Sequence, residues 1–343
     1  MTTSFGKGNT STPSREEGRG RSLLVVIPCL NEGQTIGSLI QAIPRSIQGV
    51  SRMECLVIDD GSVDRTAQIA EESGATVIRH SRNRGLGFAF ESAVKHALRN
   101  GYDVMVNIDG DGQFDPRDIP KLIAPVVNRE ADFVTASRFL DPGNYPKMPR
   151  LNFWGNLAMS SLISFLSGQK FYDVSCGFRA YSLEALVTLN LQGQFTYTQE
   201  TFLNLSFKKL AIKEVPVQVR YLPGRKSRVA QSLGWYGWRA LLIIVRSYRD
   251  FHPLRFFWCL ALAAALLGTC FAFIVLDHYF KTGGFTGQIW AGFVAGSLYF
   301  VGIMFFIVGI VTDMLASIRA NQERILSLLK ETVTKTDQDL GTK

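Results

Sequence analysis

The hydrophobic pattern of the first 220 residues alternates between short apolar runs and longer amphipathic stretches. The runs predict buried strands at 23–27, 54–58, 75–79, 104–108 and 133–136. The amphipathic stretches predict helices at 35–43, 64–73, 87–99, 119–127 and 201–210. Pro28 is expected to end the first strand. This alternation is typical of an α/β fold, in which a mostly parallel sheet is covered by helices on both faces.

Two uncharged apolar runs near the C-terminus, residues 256–276 and 289–311, have the length of membrane spans. As a helix, the first would be about 31 Å long, which matches the hydrocarbon core of a bilayer. A short connection at 277–285 separates the runs. The alternative is a pair of buried core helices. Two uncharged runs so close together favour a transmembrane hairpin, which we place at residues 253–312.

Positive charge lies beside this predicted hairpin. Residues 220–255 carry eight basic side chains and one acidic side chain, Asp250, whereas the net charge of the whole chain is 37 − 29 = +8. Further basic residues, Arg319, Arg324 and Lys330, follow the second run. By the positive-inside rule, both termini and the large N-terminal region are expected in the cytoplasm.

Two amphipathic segments flank the hairpin. In residues 229–252, aromatic and aliphatic side chains such as Trp235, Tyr236 and Trp238 alternate with arginines, which predicts a helix at the membrane interface; the alternative is a soluble amphipathic helix. The last segment, 313–343, either lies on the membrane or pairs with a second chain, giving a homo-oligomer. Its apolar side is formed by Leu315, Ile318, Ile325, Leu328 and Leu329.

The composition excludes several classes of protein. A chain with 46% hydrophobic and 19% charged residues is not intrinsically disordered as a whole, although residues 1–22 read as a flexible tail. The five cysteines form no CxxC pair and the four histidines no cluster, so a disulfide framework or zinc site is not expected. Because the positive charge lies beside the predicted spans, it favours binding to a lipid surface and argues against a nucleic-acid partner.

Polar segments at 28–32, 59–62, 83–87 and 109–113 directly follow predicted strands. Since ligands of such sheets bind at the carboxyl ends of the strands, these segments predict one binding site. Asp109 and Asp111 flank a glycine, so both carboxylates can turn towards one hard cation, Mg²⁺ or Mn²⁺, which shares its oxygen ligands with phosphates. Gln113 could add a carbonyl oxygen.

These segments resemble glycosyltransferase family 2. The similarity rests on four motifs: VVIPCLNE at 25–32, VIDDGSVDRT at 57–66, NRGLG at 83–87 and NIDGDGQFDP at 107–116. Three later segments, at 137–139, 173–179 (DVSCGFR) and 220–228, are similar to those of polyprenyl-phosphate glycosyltransferases, such as dolichol-phosphate mannosyltransferase and bactoprenol glucosyltransferase. The resemblance covers residues 23–230. It implies a GT-A catalytic domain at 23–228.

The resemblance also implies roles for individual residues, with Asp111, Arg138 and Asp173 as the catalytic group. Metal binding on the diphosphate is expected of Asp109, Asp111 and Gln113. The nucleotide pocket is expected to comprise Pro28, Leu30, Glu32, Asp59, Asp60, Asn83 and Gly87. Arg138 and Arg150 are expected to receive the lipid phosphate, and Asp173 and Arg179 to lie by the reaction centre. The donor diphosphate is assigned to Arg220 or Arg225, near Ser227.

The implied reaction is metal-dependent and inverting. A hexose moves from a UDP- or GDP-linked sugar to a polyprenyl monophosphate at the cytoplasmic face of the membrane. Two positions depart from the family pattern: Cys176 replaces a common serine, and Leu222 stands where an arginine is usual. The second departure leaves Arg220 and Arg225 as alternatives.

Other classes of protein fit the sequence less well. A processive polysaccharide synthase would carry a Gln-x-x-Arg-Trp segment and more spans, and a Rossmann dehydrogenase would carry GxGxxG after the first strand. A transferase acting on another lipid or saccharide, and a membrane-anchored nucleotide-sugar-binding scaffold without activity, remain as alternatives. The Asp109/Asp111 pair argues against the scaffold.

Overall fold

A seven-stranded sheet forms the centre of the N-terminal part in the computed structural model, which describes residues 20–141, 148–189, 198–220 and 233–341. The strand order is β3-β2-β1-β4-β6-β5-β7. The strands are β1 (Arg21–Cys29), β2 (Val50–Asp59), β3 (Thr76–Arg79), β4 (Val104–Asn107), β5 (Phe133–Ser137), β6 (Arg179–Ser182) and β7 (Ile212–Pro216).

The sheet is mostly parallel, as predicted. Strand β1 pairs in parallel with β2 and β4, and β2 pairs in parallel with β3. Strand β6, which the apolar pattern did not predict, lies antiparallel between β4 and β5. The expected end of β1 at Pro28 is wrong, because the strand continues to Cys29. The backbone of Pro28 faces β4, and the pairing between β1 and β4 ends at Val26. The N–H group that proline lacks is therefore not needed for a hydrogen bond between these strands.

Helices cover both faces of the sheet. One face packs against α1 (Ile36–Gln41), α2 (Thr66–Glu72) and α4 (Ile119–Val127), the last of which follows a 3-10 turn at Pro116–Asp118. The other face packs against α3 (Leu86–Arg99), α5 (Arg150–Ser167), α6 (Leu183–Thr188) and α7 (Thr198–Phe207). Burial on both faces explains why the β1 sequence is continuously apolar.

Helix α5 is absent from the sequence-based prediction, as are α6 and β7. Its apolar residues point in several directions: Ile163 is buried in the core, whereas Leu151, Trp154 and Phe165 are 69%, 67% and 84% exposed. A single amphipathic period does not describe such a helix. The exposed side chains form an apolar surface on the catalytic domain.

Three helices complete the chain: α8 (Leu233–Phe251), α9 (Pro253–Thr282) and α10 (Ile289–Gly341). The last two are long and apolar enough to cross a membrane, and little of their apolar surface is buried within the protein. They pack closely along each other: a Cβ added at Gly302 would lie 3.2 Å from the carbonyl oxygen of Ala261. This architecture agrees with the predicted hairpin. The expected connection at 277–285 is shorter, because α9 continues to Thr282.

The predicted boundary between the hairpin and a separate C-terminal helix is wrong, because α10 continues as one helix from Ile289 to Gly341. Nothing between 311 and 314 interrupts it, since Thr312 and Asp313 are both compatible with helical backbone. Helix α8 occupies the segment of the predicted interfacial helix. The side chains of Trp235, Tyr236 and Trp238 lie outside the described residues, and so does the tail up to residue 19.

Candidate active site

The site is built at the carboxyl ends of β2, β1 and β4, which are neighbours in the sheet. Backbone and side-chain hydrogen bonds join the loops that follow these strands. The Asn31 N–H donates to Ser62 Oγ at 2.8 Å, and the Thr35 hydroxyl donates to the Gly110 carbonyl oxygen at 2.8 Å. Pro28, Leu30 and Glu32, predicted to contact a nucleotide, are half-buried along this edge. The three loops therefore form one connected surface.

Asp109 and Asp111 lie half-buried in the loop after β4. Burial raises the pKa of Asp109 to about 6, and the negative charge of Asp111 adds to this effect. The glycine at position 177 lies against Asp109: a Cβ there would come within 2.7 Å of Oδ1 and closer still to Oδ2. Two neighbouring carboxylates, of which Asp111 raises the pKa of Asp109, fit a divalent cation, which would neutralise both.

Within the described ranges, no group of three or more His, Cys, Asp or Glu side chains could hold a metal. A cation at Asp109 and Asp111 would therefore take its remaining ligands from elsewhere, as Mg²⁺ does when it binds one or two carboxylates together with phosphates and water. Gln113 is half-buried, and its N–H donates to Asp111 Oδ1 at 3.0 Å. This hydrogen bond orients the second carboxylate.

The carboxylate of Asp60 organises the loop after β3. It accepts hydrogen bonds from the N–H groups of Arg84 and Gly85, the latter at 2.8 Å, and lies 2.8 Å from His80 Nδ1. His80 Nε2 lies 3.1 Å from Ser92 Oγ. His80 is not among the predicted site residues, although its position directly after β3 was a signal. The loop carries Asn83, which is exposed, and leads to Gly87, which is half-buried in α3.

Asp59, predicted to lie in the nucleotide pocket, has no exposed surface in this structure. Its Oδ1 accepts the Ser62 N–H at 2.8 Å, and its Oδ2 lies 3.2 Å from Arg79 Nε. Asp59 thus shapes the turn after β2 from beneath the surface.

Arg138 follows β5 and is held by Asp173. Arg138 Nε donates to Asp173 Oδ2 at 2.7 Å and Nη2 donates to Oδ1 at 2.9 Å, while Nη2 also donates to Ser175 Oγ at 2.8 Å. Burial acts to raise the pKa of Asp173, but the charge and hydrogen bonds of Arg138 outweigh it and lower the pKa. Asp173 is fully buried and its side chain contacts Arg138, so its catalytic role stays a prediction.

Glu214 on β7 supports the same pair and was also missed. Its carboxylate accepts the N–H groups of Tyr172 and Asp173, each at 2.9 Å. Glu214 is half-buried, and burial raises its pKa. Sequence offered no signal here, because Glu214 is 41 positions from Asp173 and reaches it only through the pairing of β5 with β7.

Arg179, predicted to lie by the reaction centre, is fully buried. Its guanidinium donates to the carbonyl oxygens of Cys176, Val174 and Thr198. It also lies 5.1 Å from the centre of the Phe202 ring. Arg179 therefore holds the 174–177 turn in place from below.

Of the remaining predicted residues, Arg220 lines a cleft of about 440 Å³ together with Ser137 and Arg138. The Arg220 N–H donates to the Gln113 carbonyl oxygen at 2.9 Å, and its guanidinium lies 3.1 Å from Asp115. Arg150 is exposed at the start of α5. Arg225 and Ser227 lie outside the described residues, so the choice between Arg220 and Arg225 stays open.

Known proteins share this fold and these motifs. Residues 24–189 match Glycosyl transferase family 2. The UDP-N-acetylglucosamine–dolichyl-phosphate N-acetylglucosaminyltransferase of Methanococcus voltae is 30% identical over 58% of this chain and 86% of its own length. The dolichyl-phosphate hexose transferase of Haloferax volcanii is 34% identical over 59% of this chain and 84% of its own.

Among solved structures, glucosyl-3-phosphoglycerate synthase from Mycobacterium tuberculosis, in complex with phosphoglyceric acid, superposes with a TM-score of 0.54 and 25% identity. The match covers 66% of this chain and 80% of that one. Fold and site thus define a glycosyltransferase of the GT-A type. The chain belongs to glycosyl transferase family 2, and its resemblance to the polyprenyl-phosphate-dependent members, predicted from the motifs, is confirmed by the relatives.

Proposed function

We propose that this enzyme transfers a hexose from a nucleotide sugar to a polyprenyl monophosphate, with inversion at the anomeric carbon. The observation that carries the proposal is the position of Arg138. Its guanidinium is oriented by a buried carboxylate, its positive charge acts on Asp109, and it lines a cleft of about 440 Å³. A fixed arginine beside a metal-binding pair of carboxylates suits two anionic reactants, a nucleoside diphosphate and a phosphate.

The donor is assigned to the edge formed by β1, β2 and β4. Asp109 and Asp111 would hold Mg²⁺ or Mn²⁺, which supplies charge neutralisation for the departing diphosphate. Pro28, Leu30 and Glu32, together with the loop that Asp60 organises, would surround the nucleoside. In support, the synthase from M. tuberculosis was also crystallised with Mn²⁺ and uridine diphosphate. This second structure aligns with the chain at 23% identity, so its likeness speaks for the fold.

The acceptor is assigned to Arg138 and Arg150. Arg150 begins α5, and the exposed Leu151 and Trp154 lie within the next turn, so a positive charge and an apolar surface adjoin each other. A polyprenyl phosphate needs both. Two relatives named for dolichyl phosphate support this acceptor class.

The reaction then needs little acid–base chemistry from the protein. A phosphate monoester is anionic at neutral pH, so its oxygen can attack the anomeric carbon without a strong general base. The new bond joins that carbon to the phosphate oxygen, while the bond to the diphosphate breaks and the nucleoside diphosphate leaves. Arg138 holds the attacking phosphate in line, which is catalysis by positioning.

The enzyme is proposed to act at the cytoplasmic face of the membrane. Helices α9 and α10 are long and apolar enough to anchor it, and the excess of basic residues at 220–255 and after the second span lies on the side of the catalytic domain. The acceptor phosphate would meet Arg138 and Arg150 at that surface.

The test incubates membranes containing the enzyme with radiolabelled UDP- and GDP-sugars, polyprenyl phosphate and Mg²⁺ or Mn²⁺. Label that becomes extractable into organic solvent supports the proposal and identifies the donor. The matched control is Asp111→Asn in the same membranes. Label transferred only to a water-soluble phosphate acceptor would overturn the lipid acceptor. No transfer from any donor would overturn the activity.

A further inference from the structure

Helix α10 uses one face for contacts within its own chain. In the apolar part, Ala291 and Ala295 are buried on that face. Beyond the membrane span the same face meets α8 and the catalytic domain, where Arg319 lies 3.0 Å from Asp250 of α8 and Glu323 lies 2.9 Å from Lys208 of the domain. These contacts hold the extension of α10 against the domain over several turns.

The opposite face of this extension is apolar and exposed. The residues on this face recur at alternating spacings of three and four. We call this set of residues the seam: Val311, Met314, Ile318, Asn321, Ile325 and Leu328. The five apolar members are between 50% and 65% exposed, and the seam contains no charged residue. Spacing of this kind keeps a stripe on one side of a helix over many turns and is the signature of a coiled coil.

Lipid does not cover the whole seam. Because α10 is continuous, a rise of 1.5 Å per residue places Leu328 about 26 Å beyond Val311, where the apolar run ends. The polar interface of a bilayer is only about 5 to 8 Å deep on each side of the hydrocarbon core. The Lys330 ammonium group, 3.4 Å from the Leu189 carbonyl oxygen, also ties this part of the helix to the catalytic domain. Ile325 and Leu328 therefore stand in water, where exposed apolar stripes mark interaction sites.

The residue types of the seam select the partner. Val311, Ile318 and Ile325 alternate with Met314, Asn321 and Leu328, so every first core position of the heptad is β-branched. β-Branched residues at the first core position, combined with leucine at the second, favour two parallel strands, and Leu328 supplies the leucine in the last heptad of the seam. A membrane imposes parallel orientation on two copies of the same chain. Asn321 fits a homotypic pair as well, because an amide both donates and accepts hydrogen bonds.

We propose that the seam of α10 binds the seam of a second copy, forming a parallel two-stranded coiled coil that continues from the membrane span. The two catalytic domains would then lie on the outer sides of the pair, since they occupy the opposite face of each helix. Three heptads suffice because the membrane anchors already confine both copies and raise their effective concentration. This inference is independent of the substrates of the enzyme.

The first test is disulfide cross-linking of the full-length protein in its membrane. Ile325→Cys and Leu328→Cys are placed on the seam, and Ala320→Cys and Leu326→Cys, also exposed, are the matched positions off the seam. Cys259 and Cys270, exposed on α9, are replaced by serine in every sample. We expect at least about tenfold more covalent dimer from the seam positions. Equal yields at all four positions, or cross-links to a different protein, would overturn the proposal.

The second test measures the mass of the intact enzyme in lipid nanodiscs. The wild type is expected as a dimer, and the double variant Ile325→Asp/Leu328→Asp as a monomer, whereas Ala320→Asp/Leu326→Asp stays a dimer. All four side chains are exposed in the single chain, so folding is retained in each variant, which the melting temperature verifies. A monomeric wild type, or a dimer that survives the seam substitutions, refutes the coiled coil.

Discussion

The guanidinium of Arg138 and the carboxylate of Asp173 form a two-point ion pair, with Nε–Oδ2 and Nη2–Oδ1 distances of 2.7 and 2.9 Å. The Arg138 N–H donates to the same carboxylate at 3.1 Å, so backbone and side chain of the arginine are held together. The carboxylate is fully buried and the arginine side chain is 15% exposed. One edge of the guanidinium is thus committed to the protein, and the orientation of the whole group is set before any ligand arrives.

Replacing Arg138 by lysine is expected to weaken acceptor binding selectively. A lysine keeps the charge but cannot make the two-point pair, so the acceptor KM should rise at least about tenfold while the donor KM stays within twofold. Initial rates measured over a range of polyprenyl phosphate concentrations, and over a range of nucleotide sugar concentrations, give the two KM values separately. Arg117→Lys, at an exposed arginine, is the control and should change neither. An equal rise in both KM values would contradict the assignment.

Asp173→Asn is expected to destabilise the fold at neutral pH, because it leaves the charge of Arg138 largely buried without its partner. Breaking such a pair costs about 3–5 kcal/mol. The folded state lowers the pKa of Asp173, so its stabilising effect is complete above the unfolded pKa of about 3.9 and disappears as the pH falls through the lower folded value. Melting temperatures of wild type and variant should therefore differ most at pH 6–8 and converge below about pH 4. A difference that grows on acidification would exclude this pair as its source.

Gly177→Ala is expected to disturb the metal site, because the added methyl group would overlap the Asp109 carboxylate. The side chain of Asp109 must move, so we expect metal-dependent transfer to fall about a hundredfold and stability to fall by about 1–3 kcal/mol. Gly155→Ala is the matched control, since a Cβ there, within α5, has no neighbour within 4 Å. It should leave the rate unchanged and stabilise the helix by up to about 1 kcal/mol. Full activity of the Gly177 variant would contradict the inference that close packing of Gly177 against Asp109 is needed for activity.

Asp111→Asn is expected to abolish transfer without unfolding the protein. It removes one carboxylate of the proposed metal pair and relieves its repulsion of Asp109, so the melting temperature should stay the same or rise slightly. The second readout is thermal stabilisation by uridine diphosphate with Mn²⁺, which should be present in the wild type, lost on chelation by EDTA and absent in the variant. Unchanged stabilisation in the variant would place the metal elsewhere.

Much of the fold and part of the site could be predicted from local patterns. The strands β1 to β5, the helices between them and the two long apolar helices each carry a periodicity or run within a few consecutive residues. The loops after β1, β2 and β4 were predicted to meet, since adjacent parallel strands end at one edge, and hydrogen bonds between Asn31 and Ser62 and between Thr35 and Gly110 join them. Glu214 was not predicted because a single glutamate has no local pattern, whereas the position of His80 directly after β3 was a signal that the prediction did not use.

By itself, the sequence determined the family, the order of β1 to β5 with the helices between them, and the carboxylate pair beside Gly110, because these depend on neighbouring residues and on short motifs. Tertiary structure alone decided that Asp59, Asp173 and Arg179 are buried, since burial depends on partners far away in the chain or on the packing of whole layers. Tertiary structure also decided whether the last helix is interrupted after the second apolar run. The residues at 312–313 are compatible with either a break or a continuation of the helix. Contacts with the catalytic domain, such as that of Glu323 with Lys208, keep α10 continuous. They leave the other face of the helix exposed to solvent.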